Sequence, residues 1–327
     1  MRALRGIMKD VSYDLEPAIA EAIRKQDALY TQPPQTMSPA EVRALFGTAP
    51  PADPALRPAG VGAIDESLAL TSPDRCIPIR RHRPRKAGAA RIAYFHGGGF
   101  TTGGLDSHDA ICAAHAHETN AEVVAIEYRK LPDHPFPAAY DDAIAAASAL
   151  AADGRPLALA GDSSGATLAL AAALALRGGG VRLQSLLLYY PIIGLDFDTG
   201  SYRSNATAPA LTTARCRRIW SDYLSGDLDG VRARLDWRAA PLLADNLSGL
   251  PPTVIVIAEY DPLRSDGEIL AERLGKAGVD AALIRGSRLP HGFLKWRGIS
   301  AEAETTIAAA TRTFTETLDQ GRLRASA

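Results

Sequence analysis

Five residues, Gly161-Asp162-Ser163-Ser164-Gly165, constrain this chain more than any other stretch. An apolar run, Pro156-Leu157-Ala158-Leu159-Ala160, leads into them, and a helix-forming run, Ala166-Thr167-Leu168-Ala169-Leu170-Ala171, leads out. A Gly-x-Ser-x-Gly between strand and helix is a nucleophile elbow. The backbone turns so sharply there that side chains flanking the serine would collide, and the serine hydroxyl is lifted clear of the sheet. Such a turn requires a buried strand on one side and a covering helix on the other.

From about residue 90 the chain supplies both repeatedly. Short apolar runs at Arg91–Phe95, Glu122–Tyr128, Leu157–Ala160, Ser185–Tyr190 and Thr253–Glu259 read as strands, with a further one at Ala281–Arg285. Ala-rich helical stretches lie between and after them, at Ala138–Ala152, Ala166–Arg177, Asp266–Ala277 and Ala301–Leu318. Continuous apolar strands separated by helices predict an α/β fold, a mainly parallel sheet covered on both faces. Ile64–Leu70 and Cys76–Arg80 alternate in polarity and predict an antiparallel edge. Two segments break the rhythm, and together they predict a helical cap. Residues 1–55 form its N-terminal part, with helices near Leu15–Ala28 and Pro39–Phe46 and a Pro-rich linker at Pro50–Pro54. Residues 196–236 form its second part, helical around Ala214–Leu224, which leaves 56–195 and 237–327 as the core.

Composition narrows the partners. A net charge of −1 across 327 residues gives no electrostatic case for nucleic acid or an anionic membrane. The one basic run, Arg80-Arg81-His82-Arg83-Pro84-Arg85-Lys86, carries no interleaved aromatic residues and reads as a solvated strand end and turn. Three scattered cysteines do not make a disulfide framework. With no apolar leader in the first residues and no segment apolar enough to span a bilayer, the expected setting is the cytoplasm.

A serine hydroxyl needs a base within hydrogen-bond reach and an acid to orient that base. Asp261 ends the apolar run Val254–Tyr260, and His291 stands thirty residues on in Leu289-Pro290-His291-Gly292-Phe293. Both are expected at the same sheet edge as Ser163, where open parallel sheets place their ligands. Glu259 is the rival acid, ranked lower because it falls within the strand. Negative charge developing on a substrate oxygen requires donors too, and His96-Gly97-Gly98-Gly99-Phe100 offers bare backbone amides after the strand Arg91–Phe95. With 28 glycines in 327 residues, chance supplies about 0.13 matches to the elbow but about 0.004 to His-Gly-Gly-Gly, so the loop is the sharper signal. The amide of Ser164, after the nucleophile, completes the donor set. By contrast Gly178-Gly179-Gly180 ends a helix and reads as a cap.

With these motifs the chain resembles the bacterial hormone-sensitive-lipase family of esterases. The resemblance rests on His96–Phe100, Tyr128–Ala138, Gly161–Gly165, Asp261-Pro262-Leu263-Arg264 and His291-Gly292-Phe293, in the family's order across about residues 90–300. It implies an α/β-hydrolase fold with a helical cap and a small-molecule carboxylic ester, mostly of short to medium acyl chain, as substrate. It also implies Gly98 and Gly99 as the glycines nearest the oxyanion, with His96 and Gly97 supporting the loop, no cofactor, and dimers as a common state. One departure stands out: the family's elbow usually reads Gly-Asp-Ser-Ala-Gly-Gly, and here Ser164 and Ala166 replace its Ala and its last Gly.

Other readings compete with parts of this one. His108, Cys112 and His115 share a helical face and are zinc-ligand types, but no fourth ligand is evident and a buried polar seam accounts for them equally; no metal is expected. Neither Gly-x-Gly-x-x-Gly nor a P-loop is present. An amide, carbamate or lactone is open to the same nucleophile, and a non-catalytic small-molecule receptor is open to the same fold.

Overall fold

Parallel strands buried on both faces must find helices to cover them, and the described residues do so. The computed structural model describes residues 13–46, 56–71, 74–198, 200–226 and 236–325; the Pro50–Pro54 linker lies outside them. The strands are β1 (Val61–Thr71), β2 (Asp74–Pro84), β3 (Arg91–Phe95), β4 (Glu122–Ile126), β5 (Leu157–Asp162), β6 (Leu183–Tyr189), β7 (Thr253–Tyr260) and β8 (Ala281–Pro290). They form one sheet in the order β1-β2-β4-β3-β5-β6-β7-β8. β1 and β2 pair antiparallel, β2 meets β4 antiparallel, and every later pairing is parallel. β3, β4 and β5 are buried at every residue, as their unbroken apolar runs require.

The helices are α1 (Pro17–Asp27), α2 (Pro39–Phe46), α3 (Asp109–Thr119), α4 (Ala138–Ala151), α5 (Ser164–Leu176), α6 (Gly200–Ser204), α7 (Thr213–Tyr223), α8 (Arg264–Lys276) and α9 (Ala301–Ala325). One core joins the sheet to α4, α5 and α8 through residues such as Ala143, Leu170 and Leu270. The other joins it to α1, α3 and α9 through Ile19, Ala113 and Phe314. α1 is held against the start of α9 by Glu16, whose carboxylate accepts from Ser300 Oγ at 2.9 Å and Glu302 N at 3.1 Å.

The two segments outside the alternation meet above the sheet edge. Arg215 Nη1 on α7 donates to Pro34 O at 2.9 Å, and Arg43 Nε on α2 donates to Thr101 O at 3.4 Å. Tyr223 of α7 stacks on Phe100 with ring centroids 3.7 Å apart.

Three expectations shift. β4 stops at Ile126, short of Tyr128: Glu127 N still donates to Pro78 O on β2, but Pro78 has no N–H to continue the ladder. β8 continues past Arg285 to Pro290, its exposed polar residues Ser287 and Arg288 concealing an edge strand. The basic run is a strand end and turn, exposed at Arg85 and Lys86, but its earlier arginines are paired rather than solvated. Arg80 and Arg81 sit within β2 and pair across the strand with Asp65 at 2.5 Å and Glu66 at 2.6 Å. Beneath them Glu122 is fully buried and accepts from Arg83 at 2.5 Å, Arg155 at 2.8 Å, Arg91 at 2.9 Å and Arg81 at 3.4 Å.

That cluster carries a stability prediction. Burial alone would raise the Glu122 carboxyl, but the hydrogen bonds from Arg91 and Arg83 outweigh it and hold the pKa at about 2, against an ordinary 4.5. A depressed value means stability that is complete above about pH 4.5 and is lost as pH falls towards 2. Glu122→Gln should lower the unfolding free energy by about 3 kcal/mol at pH 7, since it leaves several guanidinium groups without their shared anion. The deficit should shrink at pH 3. Denaturant titrations at both pH values check this, and an equal deficit at each would contradict it.

Candidate active site

The register of the sheet explains how distant residues converge. Phe95 on β3 pairs with Gly161 on β5, which puts the loop after Phe95 beside Asp162 and Ser163. Tyr260 on β7 pairs with Pro290 on β8, so the next residue on each strand, Asp261 and His291, emerge as neighbours. All leave the carboxyl ends of parallel strands.

Ser163 adopts φ 52° and ψ −119°, a left-handed conformation that L residues rarely hold. Its flanking glycines have no alternative. A Cβ on Gly161 would stand 2.7 Å from Phe95 O, and one on Gly165 would run into that same carbonyl. The turn is pinned by Ser163 N donating to Tyr189 O at 2.9 Å. α5 begins at Ser164, two residues before the expected start, so the serine stands at the N-terminal, electropositive end of the helix.

Ser163 Oγ lies 3.0 Å from His291 Nε2, and His291 Nδ1 lies 2.7 Å from Asp261 Oδ2. Asp261 is fully buried, and its Oδ1 accepts from Leu263 N at 2.9 Å. Asn205, from the segment after β6, donates Nδ2 to the backbone carbonyls of Asp261 at 3.0 Å and Glu259 at 2.9 Å. Glu259, the rival acid, instead accepts from Arg288 N at 2.7 Å. Ser163, His291 and Asp261 are thus brought together, and Glu259 is left out.

In the glycine loop the amides have separate fates. Gly97 N donates to Asp162 Oδ1 at 2.9 Å, while the Gly98 carbonyl accepts from Thr101 N and Thr102 N. Among the described residues, the amides of Gly98 and Gly99 have no acceptor within the chain. Both glycines have positive φ, 128° and 60°. His96 supports the loop from behind: its Nδ1 is 2.8 Å from Gly97 O, its ring stacks on Tyr128 at 4.3 Å, and Tyr128 OH donates to His96 O at 2.7 Å.

Several residues here were not singled out from sequence. Asp162 is a buried carboxylate that accepts from Gly97 N, from Tyr94 OH at 3.0 Å and from His108 Nε2 at 3.2 Å. Burial alone would push its carboxyl up; the His108 charge and these hydrogen bonds outweigh that and leave it below the ordinary value. It ties the elbow to the glycine loop. Tyr190, with φ 35°, sets its ring edge-on to His291 at 4.7 Å. Its position as the last residue of an apolar run was the only available signal.

His108, Cys112 and His115 do not form a ligand set. His108 turns to Asp162, while Cys112 and His115 are buried in α3, with burial pulling the His115 pKa down to about 4. Among the described residues no group of three His, Cys, Asp or Glu side chains is placed to hold a metal ion.

Ser164 is buried, and its hydroxyl lies against Tyr128 without a well-aligned hydrogen bond. Removing it leaves the backbone amide in place. Ser164→Ala should therefore change turnover by at most about tenfold, roughly 1.4 kcal/mol. Steady-state kinetics on the purified variant check this, and complete loss would contradict it.

A cavity of about 710 Å³ opens over Ser163, within the range of small-molecule sites. Gly98, Gly99, Ser163 and His291 form its floor residues, and Tyr30, Phe46, Leu211, Arg215 and Ile219 come from the two segments outside the alternation. No described helix is long and apolar enough to cross a membrane.

A nucleophile elbow, a glycine loop and an acid–histidine pair on one edge of such a sheet define an α/β-hydrolase. A family profile described as alpha/beta hydrolase fold matches residues 92–295. The chain is 39% identical over 224 residues to Esterase LipI of Mycobacterium tuberculosis, covering 66% of this chain and 69% of that one. It is 34% identical over 252 residues to Ethyl acetate hydrolase of Pseudomonas putida, covering 72% and 78%. Among solved structures, a variant of esterase rPPE matches with a TM-score of 0.84 at 26% identity, over 94% of this chain and 98% of that one. The hyperthermophilic esterase of Pyrobaculum calidifontis matches with a TM-score of 0.80 at 30% identity, over 94% and 98%. The chain belongs to the α/β-hydrolase family, among the hormone-sensitive-lipase-like esterases.

Proposed function

We propose that this chain is a serine carboxylesterase acting on short- to medium-chain esters through an acyl-enzyme on Ser163. The observation that carries the reading is the continuous path from Ser163 Oγ to His291 Nε2 at 3.0 Å and from His291 Nδ1 to Asp261 at 2.7 Å, at the floor of the cavity.

His291 takes the Ser163 proton as the hydroxyl attacks the ester carbonyl, and Asp261 holds the imidazole in the tautomer that leaves Nε2 free to accept. Amides of Gly98, Gly99 and Ser164 receive the oxyanion, aided by the N-terminal end of α5. Imidazolium then protonates the departing alcohol. Water, deprotonated by the same histidine, attacks the acyl-enzyme and releases the acid. Residues 1–55 and 196–236 act as the two parts of a cap that shapes the acyl and alcohol pockets. We further place the protein in the cytoplasm, where its three free cysteines stay reduced, as a homodimer.

The base must be neutral, so turnover should fall at acid pH. A pH–rate profile flat from about pH 5 to 9 would contradict this. The reaction class is tested by matched p-nitrophenyl esters and p-nitroanilides of the same acyl groups. The ester kcat/KM should exceed the amide value by about a thousandfold or more, since p-nitrophenoxide leaves far more readily than the anilide nitrogen. Preference for the amide would reassign the chain to an amidase.

A further inference from the structure

A guanidinium withdrawn from water without an anionic partner is costly, and one stands in the cavity wall. Arg215 is half-buried in the first turn of α7 and lines the cavity. It makes one hydrogen bond, Nη1 to the neutral carbonyl of Pro34 at 2.9 Å. Among the described residues it forms no ion pair: the nearby acid Asp222 is taken by Arg218 at 2.7 Å. Burial pulls the Arg215 pKa below its ordinary value, with Tyr30 and Asp222 opposing. One bond to Pro34 leaves most of a five-donor fork unspent.

Its placement relates it to the reaction. Ile219, one helical turn further along α7, lies 3.3 Å from a Cβ built on Gly99, so the Arg215–Ile219 face of the helix looks onto the glycine loop. A second cation, Lys295, lines the same cavity four residues after His291. It donates to the neutral Gln26 Oε1 at 2.7 Å and also makes no ion pair among the described residues. Two acids line the cavity as well. Asp162 is spent on three hydrogen bonds, and Asp27 is exposed and ion-pairs with neither cation within 4.0 Å.

We infer that the ester this site takes is itself an anion, with a second carboxylate received by the Arg215 fork and favoured by the Lys295 charge. The inference rests on the esterase reading above and names the substrate class for the same cavity. A planar guanidinium matches a carboxylate bidentately, and a neutral ester leaves that fork unpaired. The carboxylate sits on the acyl or the alcohol side of the ester, and substrates of each kind separate the two.

The experiment compares kcat/KM for two pairs differing only by carboxylate against isopropyl. Monoethyl glutarate against ethyl 5-methylhexanoate tests the acyl side, and 4-acetoxybutanoate against 4-methylpentyl acetate tests the alcohol side. In one pair the anion should be favoured by about tenfold or more, the ratio expected of a charge-assisted hydrogen-bonded pair. Arg215→Gln should bring that ratio to about one or below, and Arg215→Lys should keep part of it. A residue that only bolts α7 to Pro34 would lower both members of a pair together and leave the ratio alone. A native ratio at or below one in both pairs, or a ratio unchanged in Arg215→Gln, overturns the inference. Should Arg215→Gln fail to fold, calorimetric titration of the same anions and isosteres into Ser163→Ala protein decides it without turnover. Anions that bind there while the native protein cleaves no ester would sink the esterase reading and keep Arg215 as an anion site. Esters cleaved with no anion preference would do the reverse.

Discussion

Ser163→Ala should abolish ester turnover, lowering kcat by about 10⁵-fold or more, and leave the fold intact. No other hydroxyl takes its place. The Ser164 hydroxyl is buried against Tyr128 without a hydrogen-bond partner, and it is Ser163 Oγ that meets His291 Nε2. The backbone bonds that shape the elbow, Ser163 N to Tyr189 O and Thr167 N to Ser163 O, do not use the side chain. The unfolding free energy should therefore stay within about 1 kcal/mol of the native value. Kinetics and a denaturant melt on one preparation check both halves. Substantial residual turnover would move the nucleophile elsewhere.

Asp261→Asn should lower kcat by about 10³- to 10⁴-fold with little change in structure. The reason lies in the two oxygens. Asp261 Oδ1 accepts from Leu263 N at 2.9 Å, so the asparagine carbonyl is held at that position and the amide nitrogen falls where Oδ2 now faces His291. An N–H₂ there donates to Nδ1 instead of accepting from it. The imidazole is driven to the tautomer that carries its proton on Nε2, which then has no lone pair for Ser163. Kinetics, with the imidazole nitrogens followed by NMR, read both consequences. A loss of tenfold or less would mean that Asp261 does not orient the base.

What was legible beforehand follows from which constraints are local. Gly161, Gly165, Gly98 and Gly99 are needed by a sharp turn or a positive φ, and those demands are written into neighbouring residues. Asp261 and His291 announce themselves by standing just past strands. The roles of Asp162, Tyr190 and Asn205 depend on register and on the packing of distant segments. Nothing near Asp162 in the chain shows that Tyr94, Gly97 and His108 will all donate to it. The pairing within the basic run is hidden for the same reason: Arg80, Arg81 and Arg83 are matched by Asp65, Glu66 and Glu122 on other strands. β8 was cut short because an exposed edge strand need not be apolar.

The assignment of Ser163 as an activated nucleophile is tested most directly by covalent labelling. The native protein is incubated with a p-nitrophenyl alkylphosphonate and followed by intact mass and peptide mapping. One adduct per chain should form on Ser163, in step with the loss of esterase activity, and His291→Ala protein should label far more slowly. An unlabelled protein, or an adduct on any other residue at full loss of activity, would contradict the account.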